Sequence, residues 1–303
     1  MTYTLCFLAV HESFGIVQAA RLFHEKLDAT EQSKMSYVLN CTSETLLGKV
    51  TASTLLSNWT KDKATSKLRS HLRASLWPPE AFMHVDHLNL LYASFPRSRN
   101  ETFFETWLLS KEALKAAYRN PFYGNLMTAR YRWRSRTATY FYSLNTVQLG
   151  LAALLPPSYL SGGSSLMTFS GLGFQLARQV VRAVDERGRS LDHEGHNTSW
   201  WEQQTPCALN KAHSGAEKST VADLFALEVS LAALRRSSGD DLSAMRLQLL
   251  EKFSPVQTFY ISYCSHFCGH PNGLAMCGVA VNASDFRTAF SCEREMRAEC
   301  LFM

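Results

Sequence analysis

The chain has no run approaching the ~18 apolar residues that a membrane-crossing helix needs, and it has no internal repeats or low-complexity tracts. Nor is its charge marked. Lys and Arg number 31 against 26 Asp and Glu, a formal +5 over 303 residues, too dilute to argue for nucleic acid. The start, MTYTLCFLAV, is apolar but lacks a basic lead-in and a small-x-small cleavage site, which makes it a poor signal peptide. Also missing is any Ser/His/Asp or Cys/His arrangement with enough context to name a nucleophile. What is present is an apolar fraction of 46%, enough for a sizeable core in one or two domains.

Two features point outside the cell. Asn-x-Ser/Thr sequons stand at Asn40, Asn58, Asn100, Asn197 and Asn282. Eight cysteines, six of them after residue 200, fit an oxidised C-terminal region better than a cytosolic enzyme. The expectation is a secreted protein or ectodomain whose leader is absent from this chain.

Periodicity predicts helices over about 12–37, 43–57, 62–76, 100–118 and 220–236, the last opening on a capping-box-like Thr220-Val-Ala-Asp223. Trp77-Pro78-Pro79 should stop the third. From Met127 the period changes. Arg130, Arg132, Arg134 and Arg136 alternate with Tyr131, Trp133 and Ser135, so all four arginines share one face of a predicted strand. Such a row would meet a sulfated glycan or an acidic protein; the bland alternative is a solvated face balanced by local acids. A further extended run is expected over 137–155.

The chain is organised around Gly171–Trp201. Leu172, Leu176, Val180 and Val184 form an apolar helical stripe, while Arg178 and Arg182 stand one turn apart on another face. Zinc peptidases hang H-E-x-x-H on a frame of this kind. Here the five positions read Arg178-Gln179-Val180-Val181-Arg182.

The order of motifs resembles the neprilysin and endothelin-converting-enzyme family of zinc metallopeptidases. Thr137-Ala138-Thr139-Tyr140 and Leu154-Leu155-Pro156-Pro157 are similar to its N-A-[FY]-Y … Q-P-P segment. Asp185-x-x-Gly188-Arg189, Asp192, Gly195 and Trp200-Trp201 are similar to its F-D-x-x-G-R … D-x-x-G … W-W run, and Val221-Ala222-Asp223 to the end of E-N-x-A-D. Trp59 to Lys67 and Phe290-x-Cys292 … Cys300 extend the likeness over nearly the whole chain, which corresponds to about the C-terminal half of a family member. The implied fold is mainly α with a small β element, a zincin-like (thermolysin-like) catalytic domain from residue 81 to 303 joined to part of a helical domain over 1–80.

The resemblance places the two ligand histidines on Arg178 and Arg182, the general base on Gln179 and the third ligand on Ser219. Zinc needs neutral imidazoles and a carboxylate. Two guanidiniums would repel it, and Gln179 cannot accept a proton at neutral pH. No cofactor is therefore expected. The transition-state histidine falls on Gly269, with His270 one residue away, and the substrate-cleft asparagine on Thr137. Asp223 is the surviving remnant that would hydrogen-bond a ligand histidine. It is expected to pair with Arg178, contributing ~1–3 kcal/mol; the alternative sends both arginines to solvent.

The resemblance also implies a Cys207–Cys300 disulfide. It leaves Cys6, Cys264 and Cys292 to find new partners, with Cys41, Cys268 and Cys277 as the spare candidates. The functional expectation is a non-catalytic peptidase relative that binds a peptide, protein or sulfated glycan. Its competitors are a zinc endopeptidase with unorthodox ligands and a truncated product without independent function. Cys264, His266, Cys268, His270 and Cys277 cluster like metal ligands, but disulfides and surface histidines are the expected reading. His193-Glu194-Gly195-His196 is expected in a solvated loop, and His84-x-x-His87 on an ordinary surface face.

Overall fold

A computed structural model describes residues 3–26, 28–70, 72–77, 84–97, 100–121, 138–202, 215–239, 242 and 245–292. The fold is mainly helical with one small sheet, as the sequence pattern implies. The chain forms two compact units, Met1–Glu31 with Leu76–Arg136, and Gln32–Ser75 with Thr137–Met303. Each draws residues from both sides of position 80, so they do not coincide with the division expected there.

The first unit contains α1 (Tyr3–Lys26), α4 (Val85–Tyr92) and α5 (Phe103–Arg119). Thr102 and Glu105 form a capping box that starts α5. Ile16 and Leu91 are buried together, as are Phe95, Ala113 and Leu114, with Phe14 and Tyr92 packed around them. Lys111 meets Glu12 at 3.2 Å. The absence of an apolar run long enough to span a membrane needs correction here. Tyr3–Leu22 is helical, long and apolar enough to do so by length and composition. His11-Glu12-Ser13 interrupts it in sequence, but α1 carries the polar residues and the apolar ones on one continuous rod.

The second unit begins within α2 (Ala29–Ala52); α1 and α2 stand where helices are expected over 12–37 and 43–57, with the break between them at Asp28 rather than near residue 40. Asp28 accepts from the Glu31 amide at 2.8 Å, capping a fresh start where periodicity alone ran straight through. Next, α3 (Asn58–Thr65) ends in a π-helical turn, Ser66–Ser70, and the chain extends as β1 (Arg73–Trp77) rather than remaining helical to Leu76. The extended run after residue 137 is a hairpin of β2 (Ala138–Phe141) and β3 (Thr146–Gly150), with Ala138 opposite Leu149 and Tyr140 opposite Val147. Asn145 turns it with φ 47°, a conformation asparagine tolerates. The strand order is β1-β3-β2.

The central helical run is α6 (Ser165–Thr168), a π-helical turn Phe169–Gly173, and α7 (Phe174–Val180), closed by a 3-10 turn over Val181–Ala183. Leu166, Leu172, Leu176, Ala177 and Val180 are buried. The long helix α8 (Gly215–Ser237) packs against α7. It starts before Thr220, so Asp223 lies inside it rather than in a capping box. The C-terminal helices α9 (Pro255–Ser265), α10 (Gly273–Gly278) and α11 (Ser284–Phe290) complete the unit. Periodicity did not reveal them; two are under eight residues.

Candidate functional site

Of the residues that the resemblance singles out, Arg178, Gln179, Arg182 and Asp223 lie on α7, its closing turn and α8, with β2 packed against α7. Arg178 leaves α7 and its Nε reaches Asp223 Oδ1 of α8 at 2.5 Å. The expected pair is therefore present. The carboxylate is the more enclosed partner, with 18% of its side chain exposed against 35% for the guanidinium. Burial pushes the Asp223 carboxyl above its usual range, against the opposing pull of Arg178 and then Arg182. The desolvation cost thus outweighs the attraction, so the pair orients two helices more than it stabilises them.

Gln179 faces the other way. It is buried, and its Oε1 accepts the Tyr140 amide of β2 at 3.0 Å. The position assigned to the general base thus holds the sheet to the helix. Gln179→Ala removes that acceptor and should cost about 1–2 kcal/mol in chemical denaturation. Arg182 is half-buried and interacts with Tyr142, whose hydroxyl donates to Asp185 Oδ2 at 2.6 Å. Burial, followed by that carboxylate, raises the Tyr142 phenol. Each arginine therefore has its own acidic outlet, Asp223 directly and Asp185 through Tyr142.

Two glycines are dictated by crowding. A Cβ on Gly188 would collide with the carbonyls of Arg182 and Ala183; on Gly171 it would collide with the Ser158 carbonyl and the His266 ring. Asp185 Oδ1 accepts the Gly188 amide at 2.7 Å, so the Asp-x-x-Gly turn closes on the end of the arginine helix.

Sequence reasoning gave Lys67 only a place in a motif. It is 2% exposed, yet its Nζ donates to Gly188 O at 2.7 Å and to Leu191 O at 2.6 Å. The ammonium lies 5.4 Å from the centre of the Trp200 ring, whose Nε1 also donates to Leu191 O. Burial pushes the Lys67 ammonium down to about 8, opposed by Asp185 and Asp192. Only the fold reveals a lysine at such a junction.

Ser219 lies on α8 one turn before Asp223, and Gly269 sits in the left-handed region at φ 78°. His270 is exposed, its Nδ1 accepting the Asn272 amide. Ala138 and Tyr140 are buried in β2. Thr137, the arginines at 130, 132, 134 and 136, and both Cys207 and Cys300 lie outside the described residues. Cys264 is joined to Cys277, while Cys6, Cys41, Cys268 and Cys292 are free. Asn40, Asn58, Asn100 and Asn197 are exposed and Asn282 is half-buried.

Zinc does not fit the side chains at 178, 179 and 182, since none offers a neutral imidazole or a carboxylate. A different group could hold a cation. Asp192, Glu194 and His196 bring one ligand atom each within 4.8 Å of one another on the loop after the Gly188 turn. Glu194 and His196 are exposed there, as expected of a solvated loop.

No family model matches the chain. Neprilysin-2 of Caenorhabditis elegans is 23% identical over 54% of this chain and 28% of that protein. Among solved structures, the Mycobacterium tuberculosis zinc metalloprotease Zmp1 in its open state matches with TM-score 0.65 and 14% identity, covering 97% of this chain and 50% of that one. A Haemonchus galactose-containing glycoprotein complex matches with TM-score 0.65 and 19% identity, over 89% of this chain and 49% of that one. PepO from Lactobacillus rhamnosis matches with TM-score 0.59 and 17% identity, over 97% and 49%. The chain thus spans about half the length of these structures and less of the curated relative.

Proposed function

Because the chain is a relative of the neprilysin-like zinc metallopeptidases in sequence pattern and fold, we propose that it is a non-catalytic member that acts by binding. One observation carries this reading. The side chains at the positions assigned to zinc ligands and base are engaged with the protein itself, Arg178 with Asp223 and Gln179 with the Tyr140 amide. A guanidinium anchored on a carboxylate is neither a ligand nor a proton acceptor. The peptidase-like fold is kept, and a peptide, protein or sulfated glycan is the class of partner it would take. Sequons and cysteine usage support an extracellular setting, as a secreted protein or ectodomain.

Elemental analysis of the folded protein, paired with a peptide-hydrolysis assay, tests the reading. The expected result is no stoichiometric zinc and no chelator-sensitive cleavage, with Gln179→Glu equally inactive because no ligands accompany the restored carboxylate. Stoichiometric zinc with hydrolysis blocked by a chelator would overturn it. The Asp192, Glu194 and His196 group favours that second reading, and loss of zinc in His196→Ala would assign the metal there. Aggregation of the isolated chain would instead favour a product without independent function. The exposed Leu5, Phe7, Phe103 and Phe104 of the first unit are the feature behind that third reading.

A further inference from the structure

The carboxylates around Arg178 and Arg182 do not serve both guanidiniums. Both oxygens of Asp185 are taken by neutral donors: Oδ1 accepts the Gly188 amide at 2.7 Å and Oδ2 the Tyr142 hydroxyl at 2.6 Å. Asp223 Oδ1 takes the Nε of Arg178. Among the described residues no carboxylate lies within ion-pair distance of Arg182. Arg182 instead interacts with the Tyr142 hydroxyl, whose proton is already committed to Asp185.

The two arginines nevertheless face one space. After its own burial, the Asp223 carboxyl responds to Arg178 and then to Arg182, so both guanidiniums act on the same group. Asp223 belongs to α8, Tyr142 follows β2, and Arg182 meets both from the turn that closes α7. Arg187 adds a further cation, its guanidinium 4.5 Å from the centre of the Tyr142 ring. Like charges crowded on one wall repel one another, and an anion set among them removes that repulsion. Donors for it are present. The Asp223 contact uses one of the five N–H groups of Arg178, whose side chain is 35% exposed, and Arg182 is half-buried.

The enclosure selects the anion. Asp223, with 18% of its side chain exposed, is itself a carboxylate seated on this wall, so a second anion beside it must be small and singly charged. A carboxylate is flat, carries one charge and matches the guanidinium fork with two parallel bonds. A sulfated chain carries many charges in series and needs an open basic face, which a half-buried arginine between two helices and a hairpin does not offer.

Resting on the reading that this chain acts by binding, we propose that Arg178 and Arg182 form a receptor for a single carboxylate of a polypeptide ligand. That carboxylate is the ligand's C-terminus or an Asp or Glu side chain.

Fluorescence anisotropy with the whole folded chain tests this, using three labelled random octapeptide mixtures as probes. The first ends in a free carboxylate and lacks Asp and Glu; the second is amidated and contains them; the third is amidated and lacks them. The first or the second should bind about tenfold or more tighter than the third, and Arg182→Met should erase that preference. Preference for the first assigns the C-terminus, and preference for the second assigns a side chain. Equal binding of all three, or an undiminished preference in Arg182→Met, would overturn the receptor and leave the binding reading standing. Retention of a heparin hexasaccharide with no mixture bound would also overturn it, and would move the binding reading to a glycan. Failure of every probe to bind would remove both. Should Arg182→Met fold poorly by circular dichroism, the parent answers alone. The preferred mixture should slow phenylglyoxal modification of Arg182 by about tenfold, since an arginine held on a carboxylate is shielded, and an unslowed rate would overturn the proposal.

Discussion

Replacing Lys67 by alanine is expected to destabilise the chain by about 3 kcal/mol, through lost stem packing and two carbonyls deprived of a charged donor. Gly188 O and Leu191 O receive that donor, and the Trp200 ring lies beside it. Leu191 O keeps the Trp200 indole, so the Gly188 carbonyl bears most of the loss. The pH dependence separates this role from simple packing. Burial lowers the folded-state ammonium to about 8, while an unfolded lysine titrates at about 10.4. Between those values the unfolded chain holds more protons, so stability rises with pH through that window and the charged form is penalised below it. From pH 7 to 9 the gain should be about 1 kcal/mol. Above that, tyrosines such as Tyr140 and Tyr260, raised by burial, lose stability in the opposite direction. Urea denaturation at pH 7 and 9 should show the rise in the parent and none in Lys67→Ala. An equal rise in both would assign it elsewhere.

The second large effect lies at the arginine bracket and is asymmetric. Arg178→Met strands a carboxylate with 18% of its side chain exposed, whereas Asp223→Asn frees a guanidinium with 35% exposed that can turn to water. The methionine variant should lose about 2 kcal/mol, less than the roughly 3–5 of a fully buried broken pair, and the asparagine variant under about 1. Arg178→Met/Asp223→Leu should recover most of the loss, since an apolar pair of similar size needs no desolvation. The acid side checks the cause. The folded-state Asp223 carboxyl is already raised, and losing Arg178 raises it further. The folded state of Arg178→Met then binds the extra proton, so its deficit shrinks as pH falls through the raised value toward about 3.9. A deficit that grows on acidification would contradict the stranded carboxylate.

Residue identities settle much of the chemistry here, and they are legible without a fold. An arginine cannot become an imidazole by packing, so the mismatch at Arg178, Gln179 and Arg182 stands in the sequence alone. Helices with clear periodicity, such as α5 and most of α8, were legible for the same reason: a stripe repeated over several turns survives any tertiary context. Boundaries were less so. Asp28 breaks a continuous apolar pattern by offering its carboxylate to the Glu31 amide, a local cap that outweighs the stripe. The stretch before Trp77 reads as helix by composition, but Arg73 donates its amide to Asn145 O and joins a sheet edge supplied by residues about seventy positions away.

Partners across such distances depend on packing. That this chain carries a peptidase-like helix without zinc-ligand side chains follows from residue identity. It could not choose between Arg178 turning to water and turning to Asp223, because that depends on how closely α7 lies against α8. Nor could it say that Gln179 would bond a strand amide, that Cys264 would join Cys277, or that Lys67 would be buried under the Gly188 turn. Covalent identity limits what a side chain is able to do; the packing of helices against one another and the sheet selects what it does.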